Sequence, residues 1–79
     1  MYKAVFETIN EKVEAKGETV LDAFNALKIP EIKLIQAKLS VEKGGKSITR
    51  ILNGRRARLF SHNEITRGVW AKLLSSRFQ

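Results

Sequence analysis

Residues 46–60 read KSITRILNGRRARLF, and the way they fold decides the architecture of the chain. Arg50, Arg55, Arg56 and Arg58 fall within nine residues, and Asn53-Gly54 stands between apolar runs. Two readings compete. The stretch is either a DNA-reading helix or a β-strand that runs into a basic connection. The flanking segments choose between them.

Upstream, residues 32–41 read IKLIQAKLSV. Ile35, Ala37, Leu39 and Val41 alternate with Gln36, Lys38 and Ser40, the period of a strand with one buried face. Lys43-Gly44-Gly45-Lys46 follows, and a Gly-Gly pair between alternating runs suits the positive φ angles of a tight hairpin turn. Pairing about that turn sets Val41 opposite Ile48, Leu39 opposite Arg50 and Ala37 opposite Leu52. Arg50 interrupts the apolar register; a long stem laid over the core edge with its head in water accommodates it. The strand is expected to end near Asn53-Gly54, and 55–60 leaves room for a short turn. Ser61 and Glu64 then have capping-box spacing for a helix over 62–75. Ile65, Val69 and Leu73 recur every four residues, with Trp70 and Leu74 beside them, as the expected core face. Gly68 costs that helix roughly 1 kcal/mol against alanine and is expected to permit close approach of a neighbour.

Toward the N-terminus, residues 2–9 (YKAVFETI) and 12–16 (KVEAK) alternate about Asn10-Glu11, which predicts a β-hairpin. A single amphipathic helix is the competitor, since Phe6, Ile9 and Val13 also have helical spacing. Thr19 precedes Asp22 by three positions, and Val20, Ala23, Phe24 and Leu27 follow at helical spacing, so 19–28 reads as a helix. Lys28 in its last turn suits the dipole, and Pro30 stops it. The chain therefore reads as one domain over 1–79: small, α+β, in ββαββα order, with an antiparallel sheet and helices packed on one face.

The chief rival is all-α. Ile48-Thr49-Arg50-Ile51-Leu52-Asn53-Gly54-Arg55 resembles the recognition helix of repressor-type helix-turn-helix domains. That resemblance covers about nine residues and implies a sequence-specific DNA-binding regulator with Lys46, Ser47, Thr49 and Arg50 near base edges. The alternation before Gly44-Gly45 opposes it.

Charge carries the functional reading. The formal net charge is +7, from 15 Lys+Arg and 8 Asp+Glu. Residues 1–42 hold six lysines and seven acids, whereas 43–79 hold nine basic residues and one acid, Glu64. A one-sided half attracts polyanions or acidic protein surfaces. Guanidinium groups grip phosphates in bidentate fashion, and all six arginines lie in this half. The candidate site comprises Lys43, Lys46, Arg50, Arg55, Arg56, Arg58, Arg67 and Lys72, for nucleic acid, DNA or RNA, or for an acidic partner. The bland alternative is a solvated basic face. Phe60, beside the arginines, is the candidate for base stacking or, as a residue before the Ser61 cap, for a hydrophobic staple on Ile65. Trp70 reads as core.

Other chemistry finds little support. There is no cysteine, and the single histidine, His62, lacks the neighbours of a metal site. Ser61 and Glu64 read as caps rather than as nucleophile and base. Gly44-Gly45-Lys46-Ser47 lacks the spacing of a phosphate loop. The reading is a non-enzymatic protein with no cofactor or metal. No apolar run spans a membrane, and the N-terminus lacks a signal-peptide core, so a cytoplasmic location is expected. Size and charge are those of viral accessory, nucleoid and ribosome-associated proteins. The expected function is nucleic-acid binding through the phosphate backbone. A protein-interaction module or inhibitor for an acidic partner is the alternative, and the helix-turn-helix regulator is the third.

Overall fold

The computed structural model describes residues 1–31 and 33–78; Ile32, which opens the strand read over 32–41, lies outside them. Strand β1 (Tyr2–Glu7) turns into β2 (Lys12–Gly17), as the hairpin reading requires. Thr8 makes the turn: its backbone N–H donates to Glu11 O at 2.8 Å, and its Oγ1 accepts from the Glu11 N–H at 3.1 Å. Helix α1 (Val20–Ala26) is capped by Thr19, whose Oγ1 accepts from the Asp22 N–H at 3.0 Å. It ends before Lys28, which therefore does not serve its dipole.

Strands β3 (Ala37–Lys43) and β4 (Lys46–Leu52) form the second hairpin. β3 starts five residues later than the alternation suggests. Leu34, with φ of 31°, falls in a non-extended segment before it. The turn is built on Gly44 and Gly45 at φ of 59° and 82°, the left-handed region that glycine enters without a Cβ clash. Val41 pairs with Ile48, Leu39 with Arg50 and Ala37 with Leu52, the register expected. This overturns the helix-turn-helix reading: Lys46, Ser47, Thr49 and Arg50 lie on a strand, with side chains alternating between two faces rather than sharing one helical face. The sheet is antiparallel throughout, in the order β2-β1-β3-β4.

Residues 54–60 correct the sequence reading most. They are no short turn but the body of helix α2 (Gly54–His62), capped by Asn53, whose Oδ1 accepts from the Arg56 N–H at 2.9 Å. Gly54 is required here. A Cβ on it would lie 2.5 Å from the Leu34 carbonyl, so the chain before β3 crosses the start of α2 in contact. Ser61 is inside α2, its hydroxyl donating to Arg58 O, and forms no capping box. Asn63 alone separates α2 from helix α3 (Glu64–Ser75) and serves both: its N–H donates to Leu59 O at 2.8 Å, and its Oδ1 accepts from the Thr66 N–H at 3.1 Å. A 3-10 turn follows at Ser76–Phe78.

The core lies between the helices and one sheet face. Ala4, Phe6, Leu39, Val41 and Leu52 come from the strands, and Val20, Phe24, Ala57, Phe60, Ala71 and Leu74 from the helices. Phe60 is fully buried, stacked on Phe6 at 5.8 Å and edge-on to Phe24 at 5.0 Å between ring centroids. It is neither a base-stacking platform nor a staple. Three phenylalanines in contact supply a large share of what so small a core can bury. Gly68 also departs from expectation, since a Cβ there would meet nothing within 4 Å.

Candidate nucleic-acid interface

The two faces of the sheet carry different charge patterns. The face away from the helices interleaves Lys3, Lys12, Lys16 and Lys38 with Glu7, Glu14 and Glu42, a near-neutral lattice set by the strand register. Lys3 and Lys12 reach Glu14 at 3.3 and 3.8 Å. Among the described residues, these are the only ion pairs, and none involves a cation of residues 43–78.

Those cations fall into three groups and one exception. The first group sits at the β3–β4 turn. Lys43 and Lys46 face each other across the ladder. Lys43 Nζ lies 4.4 Å from the Tyr2 ring centroid, and Lys46 Nζ lies 5.6 Å from that of Phe78 while donating to the Arg77 carbonyl. Tyr2 and Phe78 meet edge-on at 5.4 Å, so two aromatic rings hold two ammonium groups at this end. Lys72 lines the same recess as Tyr2 and Lys43.

The second group joins Arg50 of β4 to Arg77 of the C-terminal 3-10 turn. Arg50 projects to the helix side, half-buried as the interrupted register implies, with Nη1 donating to Thr49 O at 3.1 Å. It shares a recess with Trp70, Leu73 and Arg77. Arg77 is exposed and is a cation that the sequence reading misses; only its place in the all-arginine half points to it.

The third group is α2. Arg55, Arg56 and Arg58 are exposed because Ala57 and Phe60 take the inward face of the helix. Arg55, Arg58 and His62 surround a shallow recess of about 500 Å³ with Leu34 and Leu59. The first turn of α2 contains no acid and two arginines. Backbone N–H groups already make a helix N-terminus positive, so Arg55 and Arg56 stand where cations cost the helix roughly 0.3–1 kcal/mol each. An anion placed there would meet the dipole and the guanidinium groups together.

Arg67 is the exception. It turns into the protein, with Nε donating to Asn25 Oδ1 at 3.1 Å and Nη1 to the Phe60 and Ser61 carbonyls at 3.2 and 3.1 Å. It ties α3 to α1 and satisfies carbonyls at the end of α2. Its Nε and Nη1 donors are committed within the fold.

No group of three or more His, Cys, Asp or Glu residues arranged to hold a metal occurs among the described residues. No helix among them is long and apolar enough to cross a membrane. Comparisons with protein-family models, with curated proteins and with solved structures find no match to this chain.

Proposed function

We propose that the protein binds nucleic acid through the phosphate backbone, with the exposed arginines of α2 at the centre of the interface and the lysines of the β3–β4 turn extending it. One observation carries this reading. Four of the six lysines of the N-terminal half, Lys3, Lys12, Lys16 and Lys38, share the open sheet face with Glu7, Glu14 and Glu42, and two of them pair with Glu14, whereas the nine cations in 43–78 are accompanied by one acid, Glu64, and none has a carboxylate partner among the described residues. Unpaired guanidinium groups at a positive helix end repel one another and weaken the helix they stand on. A polyanion relieves both costs and releases its own counterions in doing so. Base-edge readout has no support, since α2 presents one short arginine-rich face and Phe60 is buried.

The test is binding of an arbitrary-sequence duplex and single strand across a salt series. Affinity is expected to fall steeply with salt. Replacing Arg55, Arg56 and Arg58 together by alanine should flatten the log–log slope by about 2–3, at roughly 0.7–0.9 for each phosphate that the variant no longer neutralises. A slope unchanged in that variant would sink the proposal.

A second reading, an acidic protein surface, draws support from Leu34 and Leu59. Both are exposed, and they share the recess of Arg55 and Arg58, a mixture of aliphatic and guanidinium groups that phosphates do not need. Absence of nucleic-acid binding at low salt would favour it.

A further inference from the structure

Of the apolar residues expected to bury α3, Leu74 and Trp70 meet the core but Ile65, Val69 and Leu73 do not. Ile65, Val69 and Leu73 are 79%, 54% and 55% exposed, and the helix packs through Ala71 and Leu74, with Trp70 half-buried against the core and the Arg67 guanidinium donating to the Phe60 carbonyl. Residues four apart form one line on a helix, so the three make a continuous aliphatic stripe spanning about 12 Å at 1.5 Å per residue. Neither the fold nor helix propensity calls for it. Isoleucine and valine are poorer helix formers than lysine or glutamate, and none of the three belongs to the core or packs against it.

We infer that this stripe docks an acidic amphipathic helix of another protein. The surroundings select the occupant. On one side Arg50 and Arg77 gather around Trp70 and Leu73; on the other stands exposed Lys72, one turn from Val69, in a recess that Lys43 and Glu18 also line. None of Arg50, Lys72 and Arg77 has a carboxylate partner among the described residues. An aliphatic centre with an aromatic residue and a cationic rim fits a helix carrying apolar residues at i, i+4 and i+8, with Asp or Glu flanking them. A second copy would bring Arg50, Lys72 and Arg77 against their own kind on a chain of net charge +7. Nucleic acid has no use for three aliphatic side chains, and a lipid surface asks for a broader apolar face than three residues. The surface lies on α3, and the inference stands apart from the reading of α2.

Trp70, the single tryptophan, lies half-buried beside Leu73 and reports on the site. Two synthetic peptides serve as probes. Both carry glutamates at the flanking positions of a helix, and one has leucine, the other serine, at i, i+4 and i+8. The leucine peptide should shift Trp70 emission saturably, and the serine peptide should bind at least about tenfold more weakly. An Ile65→Ser/Val69→Ser/Leu73→Ser variant should lose the leucine peptide by a similar factor while keeping its circular dichroism and its duplex binding. Arg50→Gln/Arg77→Gln should also weaken it. Equal affinity for the two peptides, or no binding of either, overturns the inference; the comparison on the unaltered protein decides even if the variant misfolds. A homodimer in sedimentation, or adsorption to anionic vesicles, overturns it as well if the triple variant abolishes that behaviour.

Discussion

Arg67 and its neighbours in sequence look alike on paper, yet its guanidinium holds Asn25 and two carbonyls of α2 while those of Arg55, Arg56 and Arg58 face solvent. Nothing in spacing reveals this, because the partners lie up to 42 positions away. Arg67→Ala should therefore cost about 1.5–3 kcal/mol of stability in a denaturant melt, as hydrogen bonds to a charged group are removed. Lysine should not restore it, because an ammonium lacks the planar fork that reaches three acceptors. The salt slope of nucleic-acid binding should stay that of the parent protein; a drop of about one would instead count Arg67 among the groups that neutralise phosphates. The opposite sign is expected one residue on. Gly68→Ala adds a Cβ that meets nothing within 4 Å in a helix interior, so the melt should show a gain of roughly 0.5–1 kcal/mol. Destabilisation would mean that the glycine is kept for an approach its open surroundings do not suggest.

Among the elements, the β3–β4 hairpin is legible in full register, because period-two alternation and Gly44-Gly45 are local signals that agree. Helix α2 is not. Its only inward apolar residues are Ala57 and Phe60, too few for a periodic signal, and its cap, Asn53, reads equally well as half of an Asn-Gly turn. Helix α3 is legible as a helix but not in its orientation. It carries two apolar arcs, one with Trp70, Ala71 and Leu74 and one with Ile65, Val69 and Leu73, and only tertiary packing chooses between them. The cationic half of the site can be read from charge counts, whereas its division into three groups requires the fold. Helix α2 carries a two-sided prediction. Arg55→Glu/Arg56→Glu should stabilise the protein by about 0.5–2 kcal/mol, since acids suit a helix N-terminus, and should abolish nucleic-acid binding. A variant both more stable and fully competent would remove α2 from the interface.

For the molecule as a whole, the sheet separates a charge-balanced open face from a helix side bearing unpaired cations. Screening should then matter more than the weakening of ion pairs. The melting temperature should rise by a few degrees between roughly 50 and 500 mM NaCl, because self-repulsion fades within a shorter Debye length. A fall would show that the Lys3–Glu14 and Lys12–Glu14 pairs outweigh the repulsion. The division itself is the central claim, and amide chemical-shift mapping with a short arbitrary-sequence duplex at low salt tests it most directly. Shifts should concentrate in the Asn53 cap, in residues 54–59 of α2 and in the 43–46 turn, while the strand amides of Lys3, Lys12, Lys16 and Lys38 stay silent. Equal shifts on both faces, or none with duplex in excess, would contradict it.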